Sequence, residues 1–201
     1  MNLTTRRKLK LHIGIPAAIT SKDSLLDQII EGASAYIETY TNRKFGVEEY
    51  TEVLDGTPED EIFLKQYPVV DILSLTISGN EVDLDAEEES DQIILDKETG
   101  SVYRENGFGS GRKAVRITYT AGYNLPEASD ESGPEEYESG GDENLPAAIE
   151  AAAIRLSARV YERRTAEGVS SVSPGSMSVQ YKDAVDSDIV NILDAHKKRR
   201  V

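Results

Sequence analysis

Residues 127–144, EASDESGPEEYESGGDEN, set the first limit on the fold, because they carry many acids, Gly and Ser and not one base. Such a run cannot bury enough apolar surface to offset the entropy of ordering it, so it reads as a mobile acidic loop. The packed structure must come from the segments on either side. A chain of 201 residues holds one domain of ordinary size with room for a linker or tail. Hydrophobic residues make up 38%, below the usual share, which fits a chain partly outside its core. Trp is absent and Phe scarce, so Tyr, Leu, Ile and Val must fill most of the interior.

Upstream of the loop, residues 4–12 form a short helix, capped by Thr4 or Thr5 and stopped by Gly14 and Pro16. A stronger helix spans Ser21 to Asn42. Leu25, Ile29, Ala33, Tyr36 and Tyr40 recur along it at helical spacing, with Leu26, Ile30 and Ile37 widening the stripe. β structure follows. Tyr50–Leu54 alternates up to the Asp55-Gly56 turn, Ile62–Leu64 is a brief apolar run, and Val69–Ser78 is rich in β-branched residues. Gln92–Leu95 and Ser101–Arg104 read as a hairpin. Val115–Thr120 is the clearest strand, with Val115, Ile117 and Tyr119 on one face.

Downstream, a helix starts near Leu145-Pro146, with Pro tolerated in its first turn. Its apolar stripe is Ile149, Ala152, Ala153, Leu156 and Val160. Arg155, Arg159 and Arg163 recur every four residues on another face. They suit a solvated face first, an intersubunit ion-pair surface second, and nucleic acid last, because no aromatic residues interleave with them. After Gly168 the chain is rich in Ser, Gly and Pro as far as a short strand at Met177–Tyr181. A last helix spans Ser187–Lys198, with Ile189, Val190, Ile192 and Leu193 as its apolar patch and closing cations that suit its dipole.

Residue types exclude several chemistries. Without Cys there is no disulfide, thiolate metal site or Cys nucleophile. The two histidines, His12 and His196, lie at opposite ends of the sequence, which leaves a His-based site short of partners. Glu105–Lys113, ENGFGSGRK, lacks the GxxxxGK[ST] order of a phosphate loop and leads into a strand, so it reads as a flexible hairpin tip. No G-x-S-x-G elbow surrounds the serines of 170–178. Asp83, Asp85, Glu87, Glu88, Glu89 and Asp91 form a solvated acidic turn without the Gly of an EF-hand loop. No catalytic, metal or cofactor residues are expected, nor a membrane span or signal peptide.

The net charge of −15 argues against tight binding of free duplex DNA. Cations gather at the ends: Arg6, Arg7, Lys8 and Lys10 at the start, and Lys197, Lys198, Arg199 and Arg200 at the close. Basic ends on an acidic body either sit in solvent or meet acidic surfaces of neighbouring subunits or a partner ring. The acidic excess also raises a high-salt host as a second hypothesis, since salt screens self-repulsion.

The order of several segments resembles the head–tail connector, or portal adaptor, family of long-tailed phages and related tailed viruses. They are SLLDQIIEGASAYIETYTNRKF, YTEVLDG, LKQYPVVDILSLTISG, LDKETGSVYR, VRITYTAGY, LPAAIEAAAIRLSARVYERR and SVSPGSMSVQY. The likeness covers about residues 20–181, and the acidic run 127–144 departs from the family pattern.

The resemblance implies an α+β, mainly α fold: a small helical bundle with an inserted β-region and an extended C-terminal segment ending in a short helix. Residues 1–168 would form the connector core and 169–201 an arm with a docking helix. It further implies a non-enzymatic virion protein at the head–tail junction, assembled in the host cytoplasm. The partners would be other copies in a ring, usually a dodecamer, the portal protein, and a stopper or tail-side connector. Genomic DNA would pass through the lumen without sequence-specific binding. Portal docking would fall to Ile189, Val190, Ile192, Leu193, Lys197, Lys198, Arg199 and Arg200. Contacts between subunits would fall to Arg155, Arg159, Arg163, Met177, Val179 and Tyr181. The runner-up is a stopper or tail terminator one ring further down. Readings of other classes are a small hydrolase, for which no coherent motif is present, and a host-directed regulatory protein, for which the N-terminal cations are too few.

Overall fold

The computed structural model describes residues 1–86, 88, 91–127, 141–167 and 185–197. Most of the expected acidic loop and the expected strand at Met177–Tyr181 lie outside the described residues. The described chain divides into two compact units. One takes the described residues of 1–45, 124–127, 144–167 and 185–197, and the other those of 46–123 and 141–143.

The first unit is helical. Its elements are α1 (Arg6–His12), α2 (Asp23–Thr41), α3 (Ala147–Glu167) and α4 (Ser187–Ala195). Thr5 caps α1 by accepting the Lys8 amide proton. Asn42 closes α2 in the left-handed conformation (φ 53°), which Asn tolerates better than most residues. The buried stripe of α2 centres on Leu26, Ile30, Ala33 and Ile37. Leu25, Tyr36 and Tyr40 flank it half-buried, so the face is turned slightly from the expected one. Leu9 of α1, Leu26 and Ile30 of α2, and Ala158 of α3 form one apolar cluster. On α3 the expected stripe from Ile149 to Val160 is buried, and its alanines keep that face flat.

Ion pairs lock the N-terminal segment onto this core. Lys10 is 2% exposed and sets its Nζ 2.7 Å from Asp23 Oδ1, at the first turn of α2. Lys8 reaches Glu150 of α3 at 2.7 Å. A buried ammonium persists only with such a partner.

The second unit is all β. Strands β1 (Glu48–Gly56), β7 (Gly111–Ala121), β3 (Val69–Ile77) and β4 (Asn80–Glu81) form an antiparallel sheet in the order β1-β7-β3-β4. Strands β2 (Glu61–Phe63), β6 (Ser101–Tyr103) and β5 (Ile94–Asp96) form a second sheet in the order β2-β6-β5. The β5–β6 pair is the expected hairpin. Their shared core holds Ile62, Leu75, Val102, Phe108, Val115, Ile117 and Tyr119.

A buried polar network ties β1 to the turn before β3. Glu52 Oε1 accepts from the Tyr119 hydroxyl and, at 2.9 Å, from the Lys65 amide, while the Gln66 amide donates to the Tyr119 oxygen at 3.1 Å. Burial, and then the adjacent Glu52 carboxylate, push the Tyr119 phenol well above its ordinary pKa. The turn continues into a cis Tyr67–Pro68 peptide bond.

Two expectations need correcting. The fold is α+β, and among the described residues helix and strand stand at about 34% and 28%, so a mainly α composition is not borne out. The β-region is inserted in sequence between the helices, and it forms a unit with its own two sheets and core. The strands run longer than alternation alone showed. Strand β7 begins at Gly111, inside the glycine-rich stretch, and β1 spans Glu48–Gly56. The glycine-rich loop is also no free tip. Phe108 is wholly buried, its amide bonds Thr57 O at 3.1 Å, and Arg104 Nη1 donates to Gly107 O at 2.9 Å.

Candidate assembly surfaces

Helix α4 seats on α3 and on the end of α2. A nine-residue helix is too short to hold its shape alone in water. Its stability here comes from Ile189 and Leu193, both wholly buried. Fully burying two such side chains contributes roughly 3–6 kcal/mol of transfer free energy before entropy is counted.

Charged groups hold both ends of the helix. At its start, Arg159 Nη2 lies 2.9 Å from Asp186 and 3.2 Å from Asp188, and Arg155 Nη1 lies 3.3 Å from Asp188. At its close, the Tyr40 hydroxyl donates to Asp194 Oδ1 and Arg43 donates to the His196 carbonyl at 3.4 Å. Lys197 sits 2.6 Å from Asp194 and 4.2 Å above the centre of the Tyr40 ring.

These contacts shift the titration of the helix's own charges. Partial desolvation works against ionised Asp188, but the Arg159 hydrogen bond and charge outweigh it and lower its pKa. The Lys197 and Tyr40 hydrogen bonds lower the pKa of Asp194, and the Asp194 and Tyr40 contacts raise that of Lys197. The Arg155 and Arg159 pairs are solvent-facing, and each is worth little by itself.

The residues expected to dock a portal therefore fall into groups. Ile189 and Leu193 face their own chain and present no surface to a partner in this conformation. Val190 and Ile192 are half-buried, and Lys197 is exposed. Lys198, Arg199 and Arg200 lie outside the described residues. Among the residues expected between subunits, Arg155 and Arg159 pair within the chain and Arg163 is exposed. Met177, Val179 and Tyr181 lie outside the described residues.

Sequence reading missed Tyr40 and Arg43 as the receptor for the terminal helix. The signal was present in YTNRKF, residues 40–45, where a left-handed Asn42 swings Arg43 back beneath α4. Arg43 is 4% exposed, with its guanidinium 5.4 Å from the Phe45 ring centre.

Elsewhere, a cavity of about 620 Å³ in the β unit is lined by Glu81, Asp83, Glu88, Asp91 and Arg104, among others. Arg104 closes on Asp91 at 2.6 Å. The Asn106 and Arg104 hydrogen bonds keep the Asp91 carboxyl below its ordinary pKa. Among the described residues no group of three or more His, Asp or Glu is placed to hold a metal ion, and no helix is long and apolar enough to cross a membrane.

A helical unit whose terminal helix packs on its own chain, joined in sequence to a two-sheet β unit, defines an α+β scaffold. The chain belongs to the head completion protein family, whose model matches residues 2–199. Solved structures of similar fold include a chain from the neck of an empty GTA (gene transfer agent) particle computed with C6 symmetry. It is 18% identical, with TM-score 0.55, over 96% of this chain and 89% of that one. A chain from the virion of a native gene transfer agent particle is 16% identical, with TM-score 0.52, over 97% and 88%. A chain from the neck of the native particle computed with C12 symmetry is 15% identical, with TM-score 0.50, over 92% of each. At these identities the likeness is one of fold. No curated protein matches the sequence.

Proposed function

We propose that this chain is a structural subunit of the head–tail junction of a virus-like particle, an adaptor that forms a ring against the portal and has no enzymatic role. Family membership and the neck origin of chains sharing its fold support the location. The C6 and C12 symmetries of those necks support a ring, with a dodecamer as the expected count. Genomic DNA would cross the lumen without sequence-specific contact, as the net charge of −15 favours.

The observation that carries the adaptor reading, rather than the stopper reading, is the seat of α4. A short amphipathic helix at the end of the arm 169–201 is held at its ends largely by solvent-facing polar contacts. It can leave its seat and offer Ile189, Val190, Ile192 and Leu193, with Lys197 to Arg200 as the charged rim, to a groove on the portal.

The test is co-purification with the portal protein of the same particle, comparing the full chain with a truncation after Tyr181. Binding lost on truncation supports docking by the tail helix. Binding kept on truncation moves the interface to the body. No binding of either form at low and high salt, with incorporation only after the portal ring is covered, turns the assignment to a stopper.

A further inference from the structure

Residues 1–22 hold Arg6, Arg7, Lys8, Lys10 and Lys22 and no Asp or Glu, on a chain of net charge −15. Arg6, Lys8 and Lys10 turn to Asp27, Glu150 and Asp23. Arg7 and Lys22 are exposed, and apolar side chains stand with them. Leu11, one helical turn from Arg7, is 82% exposed, and Ile19 is 44% exposed. Lys22 Nζ donates to the Tyr161 hydroxyl at 2.7 Å, and Tyr161 and Ile13 pack on the same cluster, so the apolar loop and the cation share one neighbourhood.

The outer face of the three-stranded sheet has the opposite character. The register places Glu61, Tyr103 and Ile94 in one cross-strand row and Phe63, Ser101 and Asp96 in the next. Phe63 is 40% exposed and Ile94 57%. Glu61 and Asp96 are exposed on that face, with Asp60 and Glu98 exposed beside it. The cations beside it are Lys97, 2.6 Å from Asp142, and Lys65, 3.6 Å from Glu52, and the acids outnumber them.

Single exposed apolar residues are ordinary. Here each apolar group stands among an excess of one sign of charge, and the two signs are opposite. Pairing like with like would set cation against cation or acid against acid, while pairing unlike satisfies both. An interface made from two different surfaces is heterologous, and repetition of it generates a ring when the rotation closes. We infer that the basic, apolar surface of Arg7, Leu11, Ile19 and Lys22 of one copy seats on the acidic, apolar face of the β2-β6-β5 sheet of the next, an inference that rests on the ring reading above.

The absence of Cys allows a clean test in the full-length chain. Leu11→Cys and Ile94→Cys change exposed side chains, and a bifunctional maleimide of short span links thiols that meet. The doubly substituted chain is expected to give a ladder of covalent multimers. Each single variant alone is expected to give none, and their equal mixture dimers and nothing larger. Arg7→Glu should slow the linking by about tenfold at low salt, through lost steering, and Asp60→Arg should restore much of that rate.

Three results would overturn the inference. Leu11→Cys linking to itself would mean a symmetric contact. Rings seen by negative-stain imaging of the doubly substituted chain without a ladder would mean another surface, and would leave the ring reading intact. A chain monomeric in sedimentation at every concentration, and without a ladder, would mean these faces do not pair. The junction assignment is then judged separately, by whether the chain enters particles.

Discussion

The Tyr40 hydroxyl lies 3.0 Å from Asp194 Oδ1, joining the last turn of α2 to the last turn of α4. Both groups face solvent, so Tyr40→Phe is expected to cost only about 0.5–1 kcal/mol. Arg43 beneath them is buried and donates to the His196 carbonyl, so Arg43→Ala is expected to cost about 1–3 kcal/mol. Amide hydrogen exchange should show this loss in residues 189–197 while α2 and α3 keep their protection. An equal loss across all helices would mean that α4 unfolds only with the whole chain.

Leu193→Ala removes a wholly buried side chain, a change worth about 2–5 kcal/mol in a rigid core. A short terminal helix can leave its seat before the rest unfolds, so the global cost should be cut off at the free energy of that local opening. Denaturant melts should move less for Leu193→Ala than for Leu26→Ala on α2. Equal shifts would contradict a separately opening helix.

Asp188 and Asp194 titrate below the ordinary carboxylate range in the folded chain. A depressed folded pKa stabilises above the unfolded value, about 3.9, and that stabilisation is lost as pH falls through the lower folded value. The seat of α4 is therefore expected to hold unchanged from neutrality to about pH 5 and to loosen progressively below it. Proton NMR of the Leu193 and Tyr40 resonances through an acid titration reads this directly. Loosening that begins near pH 6 would point to another group.

Glu52 and Tyr119 are expected to act as a unit. Tyr119→Phe leaves the carboxylate without its hydroxyl donor and is expected to cost about 1–3 kcal/mol. Adding Glu52→Gln should cost less in that background than alone, with a coupling of at least about 0.5 kcal/mol. Strict additivity in a thermal double-mutant cycle would show that the two side chains do not share the turn at residues 65–66.

Gly122 has φ +135°, and a Cβ built there runs into the backbone carbonyl of Gly46. Gly122→Ala is expected to destabilise the β unit by about 1–3 kcal/mol through strain. Far-ultraviolet circular dichroism during melting should report it. An unchanged midpoint would mean that the backbone at Gly46 yields freely.

Local rules located the elements wherever one face decides their position. On α3, Ile149, Ala152, Ala153, Leu156 and Val160 were legible because helical spacing and burial coincide. On β7 the same holds for Val115, Ile117 and Tyr119 at spacing two. On α2 the stripe is wide, and the flanking Tyr36 and Tyr40 passed for its centre. The balance of helix and strand was less legible, since β1 and β7 extend through Glu-rich and Gly-rich stretches held in place by pairing rather than pattern. The assembly residues were least legible. A patch such as Ile189 with Leu193 looks the same in sequence whether it meets its own chain or another, and only the position of Tyr40 and Arg43 separates the two cases.

The main excursion into the β unit runs from Gly46 to Tyr123, and these residues form a parallel bridge, so its two ends lie one strand spacing apart, about 4.8 Å. An insert whose ends meet is a cassette. It can be excised and the cut closed with a few glycines, or exchanged for another module, without rerouting the helical unit on either side.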